Sequence, residues 1–257
     1  MTHDDTIRRE FAKQAPSFSD PGYAFADTRL TRWIHEHVRC EEGAIVLDVA
    51  GGTGQLARTY ADVAAAVVVA DLTPEMLATG SRECAAEGRR NVIFARADAA
   101  SLPFVDGSFD LVVSRFAVHH FEQPAVQIAE MARVCRPGGR VAIVDLVAAD
   151  PALAAEHDRL ERMRDPSHAR ALSTDELVEL LERAGLEPAH RTERDQPVPI
   201  ERWLEQARTP PDVAEAIRAR VRVDLDGGEK TGMRPEVRDG VVCQLQRWAI
   251  VVARKPG

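Results

Sequence analysis

Ala44-Ile45-Val46-Leu47-Asp48-Val49-Ala50-Gly51-Gly52-Thr53-Gly54-Gln55-Leu56-Ala57 is the stretch that decides the fold. An apolar run passes into glycines and then into a helix-forming stretch. Continuous apolar runs mark strands buried on both faces, as parallel strands are. Glycine permits positive φ and lets a ligand approach the backbone closely. A helix that starts at such a turn offers unsatisfied N–H groups and a favourable field for negative charge. A ligand bearing carboxylate or phosphate is therefore expected over Gly51, Gly52, Gly54 and Gln55. A tight strand-to-helix turn without any ligand is the plainer alternative.

The same grammar repeats outward. Strands are expected at 44–49, 66–70, 92–97, 111–114 and 140–146, with helix patterns between them. Such alternation predicts an α/β, doubly wound (Rossmann-like) unit with a parallel sheet. The flanks read differently. Residues 1–40 are helical in pattern and carry Phe11, Phe18, Tyr23, Phe25 and Trp33, which suits a lid. Residues 151–246 are charged, contain prolines and read as mostly helical. Ser173-Thr174-Asp175-Glu176 has the form of a capping box, followed by Leu177, Leu180 and Leu181 and stopped at Gly185. Asp212 opens another helix, with Val213, Ile217 and Val221 along one face, and a last strand is expected at 248–253. The expected organisation is one domain over 1–257: a helical lid (1–40), a cofactor-binding core (41–146) and a substrate cap with the final strands (147–257).

Composition narrows the classes. The 257 residues carry a formal charge of −8, which weighs against a nucleic-acid partner. The longest apolar run, Val63 to Ala70, is far shorter than the ~20 residues of a membrane span. MTHDDTIRRE has no apolar core, so no signal peptide is expected. Cys40, Cys84, Cys135 and Cys243 are scattered, with no C-x-x-C and no Cys/His cluster. That pattern predicts a reduced, cytoplasmic protein without a metal site. A small-molecule substrate and a monomer or homodimer are expected.

The glycines alone leave the ligand open. Gly52-x-Gly54-x-x-Ala57 fits the dinucleotide fingerprint. Asp71 follows the second strand and suits the hydroxyls of a ribose, whether of a nicotinamide dinucleotide or of another adenosine ligand. It also suits a cap before Pro74. Two further carboxylates separate the readings. Asp48 lies inside the strand, where a carboxylate is costly unless paired. A ligand ammonium or the loop amides would satisfy it, and S-adenosylmethionine has that ammonium whereas NAD does not. Asp98 ends the third strand, placed to accept from an adenine amino group.

LDVAGGTGQLA, VVVADLTPEMLATG, ARADAASLPFVDGSFDLVVSRFAVHHF and ARVCRPGGRVAIVDL together resemble the class I S-adenosylmethionine-dependent methyltransferases. The similarity is to the ubiquinone/menaquinone-biosynthesis-type small-molecule branch and spans roughly residues 8–190. LERMRDPSHARALS resembles a bacterial subgroup of that branch. The resemblance implies a seven-stranded sheet with an antiparallel last strand, and S-adenosyl-L-methionine over the strand ends. Carried over, Gly52 and Gly54 cradle the methionine part, and Asp48 supports the loop or the ammonium. Asp71 takes the ribose, with Leu72 and Met76 near the adenine. Asp98 and Ala99 read the adenine edge. Arg115 lies near the methionine carboxylate or ammonium, and Gln14 and Phe18 close from the lid.

Methyl transfer from a sulfonium needs alignment and exclusion of water, with a base only where the acceptor must lose a proton. The stretch Phe116-Ala117-Val118-His119-His120-Phe121 opens at the strand carboxyl ends, where such sites form. His119 or His120 is the candidate base, and Asp145 at the end of the fifth strand is the candidate to orient it. The plainer alternative packs one histidine under the next helix and leaves the other solvated. Phe18, Tyr23 and Phe25 are candidates to touch substrate. Trp203 and Trp248 read as packing residues. Ser114-Arg115-Phe116-Ala117 replaces the Pro-Pro signature of exocyclic-amine methylation. A Pro-Cys nucleophile and an acidic magnesium cluster are also absent from the sequence. The acceptor atom stays open among carbon, oxygen and nitrogen. Two other functions stay open: a cofactor-binding homologue that does not methylate (a cyclase or binding protein), and an NAD-dependent oxidoreductase.

Overall fold

A computed structural model describes residues 2–18 and 28–257. β1 (Ile45–Val49) lies at the centre of the first half-sheet. It pairs in parallel with β2 (Ala66–Asp71) on one side and β4 (Phe109–Arg115) on the other. β3 (Val92–Arg96) extends the sheet beyond β2, and β5 (Cys135–Val147) beyond β4. β8 (Val241–Arg254) then runs antiparallel to β5, and β6 (Glu187–Pro199) antiparallel to β8. The order is β3-β2-β1-β4-β5-β8-β6, with the short β7 (Glu236–Arg238) paired to the start of β8. Chain order reverses between β1 and β4. The crevice beyond their carboxyl ends is where open α/β sheets bind ligands.

Strand residues feed two apolar layers. Val46, Val67, Val69, Val113 and Val144 face a layer that includes Leu30, Ile34, Leu56, Tyr60 and Trp248. Leu47, Val49, Val112, Val141 and Ile143 face the other, with Ile128, Met131, Leu177 and Leu181. This two-sided burial is why the strands read as continuous apolar runs.

The helices follow local signals. α1 (His3–Gln14) starts on a Thr2/Asp5 capping box, and α2 (Thr28–His37) packs Leu30 and Ile34 inward. α3 (Gln55–Tyr60) springs from Gly54, and α4 (Pro74–Ala86) has Pro74 in its first turn. α5 (Pro124–Val134) and α6 (Ala154–Arg164) flank β5 in sequence. α7 (Thr174–Arg183) carries the Ser173/Glu176 capping box, and Gly185 beyond it has φ +78°. α8 (Ile200–Gln206) and α9 (Pro211–Leu225) follow, α9 burying Ile217 and Val221. Among the described residues, no helix is long and apolar enough to cross a membrane.

Two expectations need correction. The stretch 151–246 is not mostly helical: it holds the 13-residue β6 and the short β7. Seven strands still form one path, with the last strand antiparallel as expected, and the short β7 adds an eighth beside β8. β6 escapes a periodicity reading because it is the sheet's edge. Its first five residues are all exposed, and it contains Pro188, Pro197 and Pro199. Charged, proline-bearing edges are how sheets avoid further pairing, and they carry little apolar alternation. The last strand is also longer than 248–253, running Val241–Arg254.

Candidate active site

β1 leads Asp48 to the crevice beside the glycine loop. Its carboxylate is 1% exposed, and neither oxygen has a hydrogen-bond partner among the described residues. Burial pushes its pKa up to about 7, against the pull of the Arg115 guanidinium and of the Ala57 N–H. Gly51 is there for Asp48: a Cβ on it would stand 2.6 Å from the Asp48 Cγ. Gly52 differs. It sits at φ +57°, and a Cβ there would meet only Met76 Sδ and the Phe18 ring, at an ordinary contact distance of 3.9 Å.

Asp71, at the end of β2, ties this loop to the next. One oxygen (Oδ2) accepts the Gly52 N–H at 2.9 Å, and the other the Thr73 N–H at 2.8 Å. Each oxygen retains a second acceptor position. Asp71 thus braces the turn before α4 and still has room for a ligand hydroxyl. Burial pushes its pKa up, opposed by those two N–H groups. Asp98 is exposed, and its Oδ1 accepts the Ala100 N–H at 2.8 Å.

The turn after β4 forms the opposite wall. Phe116 takes a left-handed φ of +51°, and Val118–His120 form a 3₁₀ turn. Asp145, near the end of β5, anchors it. Its Oδ2 accepts from the Val118 N–H at 2.7 Å and the His119 N–H at 3.3 Å. Its Oδ1 accepts the Leu146 N–H at 2.6 Å and pairs with His119 Nδ1. Burial pulls the His119 pKa down, but the Asp145 charge and hydrogen bond outweigh it, so the ring is held above its ordinary value. His120 is anchored elsewhere. Its Nδ1 lies 2.9 Å from the Ser167 carbonyl, so Nδ1 donates. Burial, and then the neighbouring His119 charge, push its pKa well below the ordinary value.

These walls enclose a cavity of about 290 Å³. Asp48, Gly51, Gly52, Asp71, Leu72, Met76, Asp98, Ala99 and Arg115 all line it, as do Phe18, His119 and His120. Three expected residues stand back from it. Gly54 faces Val69 and Phe94, about where a Cβ would meet them at 3.1–3.2 Å, so it serves packing. Gln55 acts as a strut: its amide donates to the Phe18 carbonyl at 2.9 Å and accepts from Arg115 at 2.8 Å. Asp145 reaches the cavity only through His119. Burial lowers the Arg115 pKa to about 10. Tyr23 and Phe25 lie outside the described residues.

Sequence reasoning missed part of the lining. α1 contributes His3, Ile7 and Phe11 beside the anticipated Gln14. His3 Nε2 donates to the His120 carbonyl at 2.8 Å, and Phe11 meets the His120 ring edge-on at 5.0 Å. Arg164, Asp165 and Gln206 line the far end. The Asp165-Pro166-Ser167 turn was a usable signal, since Asp side chains before such turns bond the backbone two residues on. Here Asp165 Oδ1 accepts the Ser167 N–H at 2.9 Å.

Comparison with known proteins fits this geometry. A family described as a methyltransferase domain matches residues 47–143. An uncharacterized methyltransferase of Bacillus subtilis, YcgJ, is 32% identical over 208 residues, spanning 80% of this chain and 82% of its own. The chain belongs to the S-adenosylmethionine-dependent methyltransferases. The crystal structure of the same YcgJ superimposes with a TM-score of 0.81 at 27% identity, covering 90% of this chain and 100% of that one. A demethylmenaquinone methyltransferase of Renibacterium salmoninarum is 33% identical over 144 residues, which span 55% of this chain and 59% of that enzyme.

The cofactor of this methyltransferase family is S-adenosylmethionine, and the residues present suit it. An unpartnered buried carboxylate calls for a cation, and the cofactor carries an ammonium and a sulfonium. Gly52 lines the cavity without a side chain, which admits a ligand against the backbone. Asp71 keeps acceptor capacity for a ribose, and Leu72 and Met76 give an apolar wall for a base.

Proposed function

We propose that the protein transfers a methyl group from S-adenosylmethionine to a small molecule held between the turn after β4 and α1. The observation that carries this reading is Asp48, buried and unpartnered on the cavity wall that faces the glycine loop. In this reading Asp48 holds the cofactor's ammonium end, Asp71 its ribose and Asp98 with Ala99 its base. When bound, the cofactor supplies an electrophilic methyl group.

The chain's own residues supply position, dryness and proton handling. Phe11, Phe18 and Ile7 from the N-terminal segment give the cavity an apolar lining that disfavours water. His119, fixed by Asp145, and His120, fixed by Ser167, stand at the acceptor side. A titratable pair in a lined pocket suits an acceptor that must give up a proton. The relatives named demethylmenaquinone methyltransferases support a quinone-type class of acceptor.

Thermal unfolding of the whole chain with S-adenosylmethionine, S-adenosylhomocysteine or NAD tests the cofactor. At about 100 times the dissociation constant, ligand adds about 2.7 kcal/mol, a rise of several degrees for this length. A rise with the two sulfur nucleosides is expected. A rise with NAD alone overturns the reading. Labelled methyl transfer to a panel of phenols, enols and amines then tests the reaction itself.

A further inference from the structure

Arg164 ends α6 and lines the far end of the cavity, together with Gln206 at the end of α8. It belongs to the LERMRDPSHARALS stretch, which the cofactor wall does not use. A buried arginine ordinarily has its N–H groups taken up by the fold. This one is only partly taken up. Nε donates to the Trp203 carbonyl at 2.9 Å. Nη1 has a long contact of 3.5 Å to Glu161 Oε2. Nη2 has no hydrogen-bond partner among the described residues, although the side chain is only 12% exposed.

The group is nevertheless held in place. Its guanidinium carbon lies 5.0 Å from the centre of the buried Trp203 ring, and the Arg164 carbonyl accepts from Thr209 Oγ1 at 3.5 Å. A stacked and hydrogen-bonded guanidinium has given up much of its rotamer freedom before a ligand arrives, so its open N–H groups are preorganised. Gln206 follows Trp203 by three residues and so shares its face of α8. The Gln206 amide likewise has no partner among the described residues.

Charge decides what these donors suit. Glu161 and Asp165, on either side of Arg164 in the chain, are both buried. The guanidinium is thus already matched by carboxylates of the protein. A carboxylate on the ligand would face both of them. A neutral oxygen would avoid that repulsion and still gain a charge-assisted hydrogen bond.

We propose that Arg164, with Gln206, determines specificity for the methyl acceptor by binding a neutral carbonyl oxygen, of ketone or quinone type, on the part of the acceptor that reaches this end of the cavity. The inference rests on the methyl-transfer reading and names the group its substrate must carry. The contact is binding only, and no bond to the carbonyl forms or breaks.

Calorimetric titration of the whole chain, saturated with S-adenosylhomocysteine, tests this with three probes on one skeleton: α-tetralone, tetralin and tetralin-1-carboxylate. The native chain should bind the ketone at least about tenfold more tightly than the hydrocarbon, and more tightly than the carboxylate. Arg164→Met should bring the ketone down to the hydrocarbon and leave the affinities for tetralin and S-adenosylhomocysteine unchanged. Gln206→Leu removes no hydrogen bond of the fold and should lower the ketone-to-hydrocarbon ratio by about threefold. It decides the matter should Arg164→Met fail to fold, an unchanged ratio there overturning the inference. Equal affinity for ketone and hydrocarbon in the native chain, a ratio that survives Arg164→Met, tightest binding of the carboxylate, or binding of none of the three would also overturn it. Those results, in a chain that binds S-adenosylmethionine, leave the methyl-transfer reading standing. A chain that binds neither S-adenosylmethionine nor S-adenosylhomocysteine would overturn that reading and this inference with it.

Discussion

Asp48 and Asp145 stand near the carboxyl ends of two parallel strands, β1 and β5, and each is 1% exposed. Their surroundings are opposite. Asp145 fills its acceptor positions from its own chain, with three backbone N–H groups and the His119 ring. Asp48 fills none among the described residues. A buried carboxylate with four donors is part of the structure. One that no donor reaches in hydrogen-bond geometry, with only the Arg115 charge and the Ala57 N–H pulling on it, carries a cost that a closer cation would reduce. The wall built on Asp145 is thus finished by the fold itself, whereas under the proposed function the wall built on Asp48 is left for the cofactor to finish.

The sharpest way to break that contrast is to delete each carboxylate. Asp145→Ala should cost about 3–5 kcal/mol in urea unfolding, because it leaves a buried ring and three N–H groups without a partner. The His119 pKa is raised in the folded chain. Its pairing therefore contributes fully below the unfolded value, about 6.5, and fades as pH rises through the folded value. The deficit should be largest in mild acid. It should narrow at alkaline pH without vanishing, since the stranded N–H groups remain.

Asp48→Asn should do the reverse in the ligand-free chain. A folded pKa of about 7 lies above the unfolded carboxylate value, so the folded state binds more protons between them. Stability of the native sequence then falls as pH rises through that window. From pH 5 to pH 8 the loss is about 2.7 kcal/mol, and Asp48→Asn should escape it. The same variant should bind S-adenosylmethionine at least about tenfold more weakly, or ~1.4 kcal/mol. A variant destabilised equally at both pH values would show that Asp48 is satisfied by the chain after all.

The contrast also explains what could be read in advance. Asp48 and Asp71 lie near the ends of strands of one βαβ series, and Gly51, Gly52 and Asp98 follow such strands. Each is announced locally, by an apolar run that ends in a turn. The acceptor wall is not contiguous. His3 and Phe11 come from α1, His119 and His120 from the turn after β4, and Asp165 and Ser167 from the end of α6. Nothing local to Asp165 says that its turn presents a carbonyl to a ring 47 residues earlier. The histidines themselves were legible because two imidazoles at a strand's carboxyl end are unusual company for a core. Gly54 and Gln55 were legible as loop residues, but their duty, packing and bracing, depends on Phe94, Arg115 and Phe18 across the fold.

The finest test separates two neighbouring glycines. Gly51→Ala puts a Cβ against the Asp48 carboxylate at 2.6–3.0 Å, and the buried side chain has little room to yield. A cost of about 1–3 kcal/mol is expected, as for overpacking elsewhere, with Asp48→Asn doing little to relieve it. Gly52→Ala meets nothing closer than 3.9 Å, so only its φ of +57° counts, about 1–2 kcal/mol. Its methyl group, however, enters the cavity where the proposed function puts the cofactor. Gly52→Ala should therefore be the milder change in unfolding and the harsher one in calorimetric titration with S-adenosylhomocysteine. If both variants lost stability and affinity in proportion, the loop would be a packed turn, and the cofactor wall would be as complete without its ligand as the wall built on Asp145.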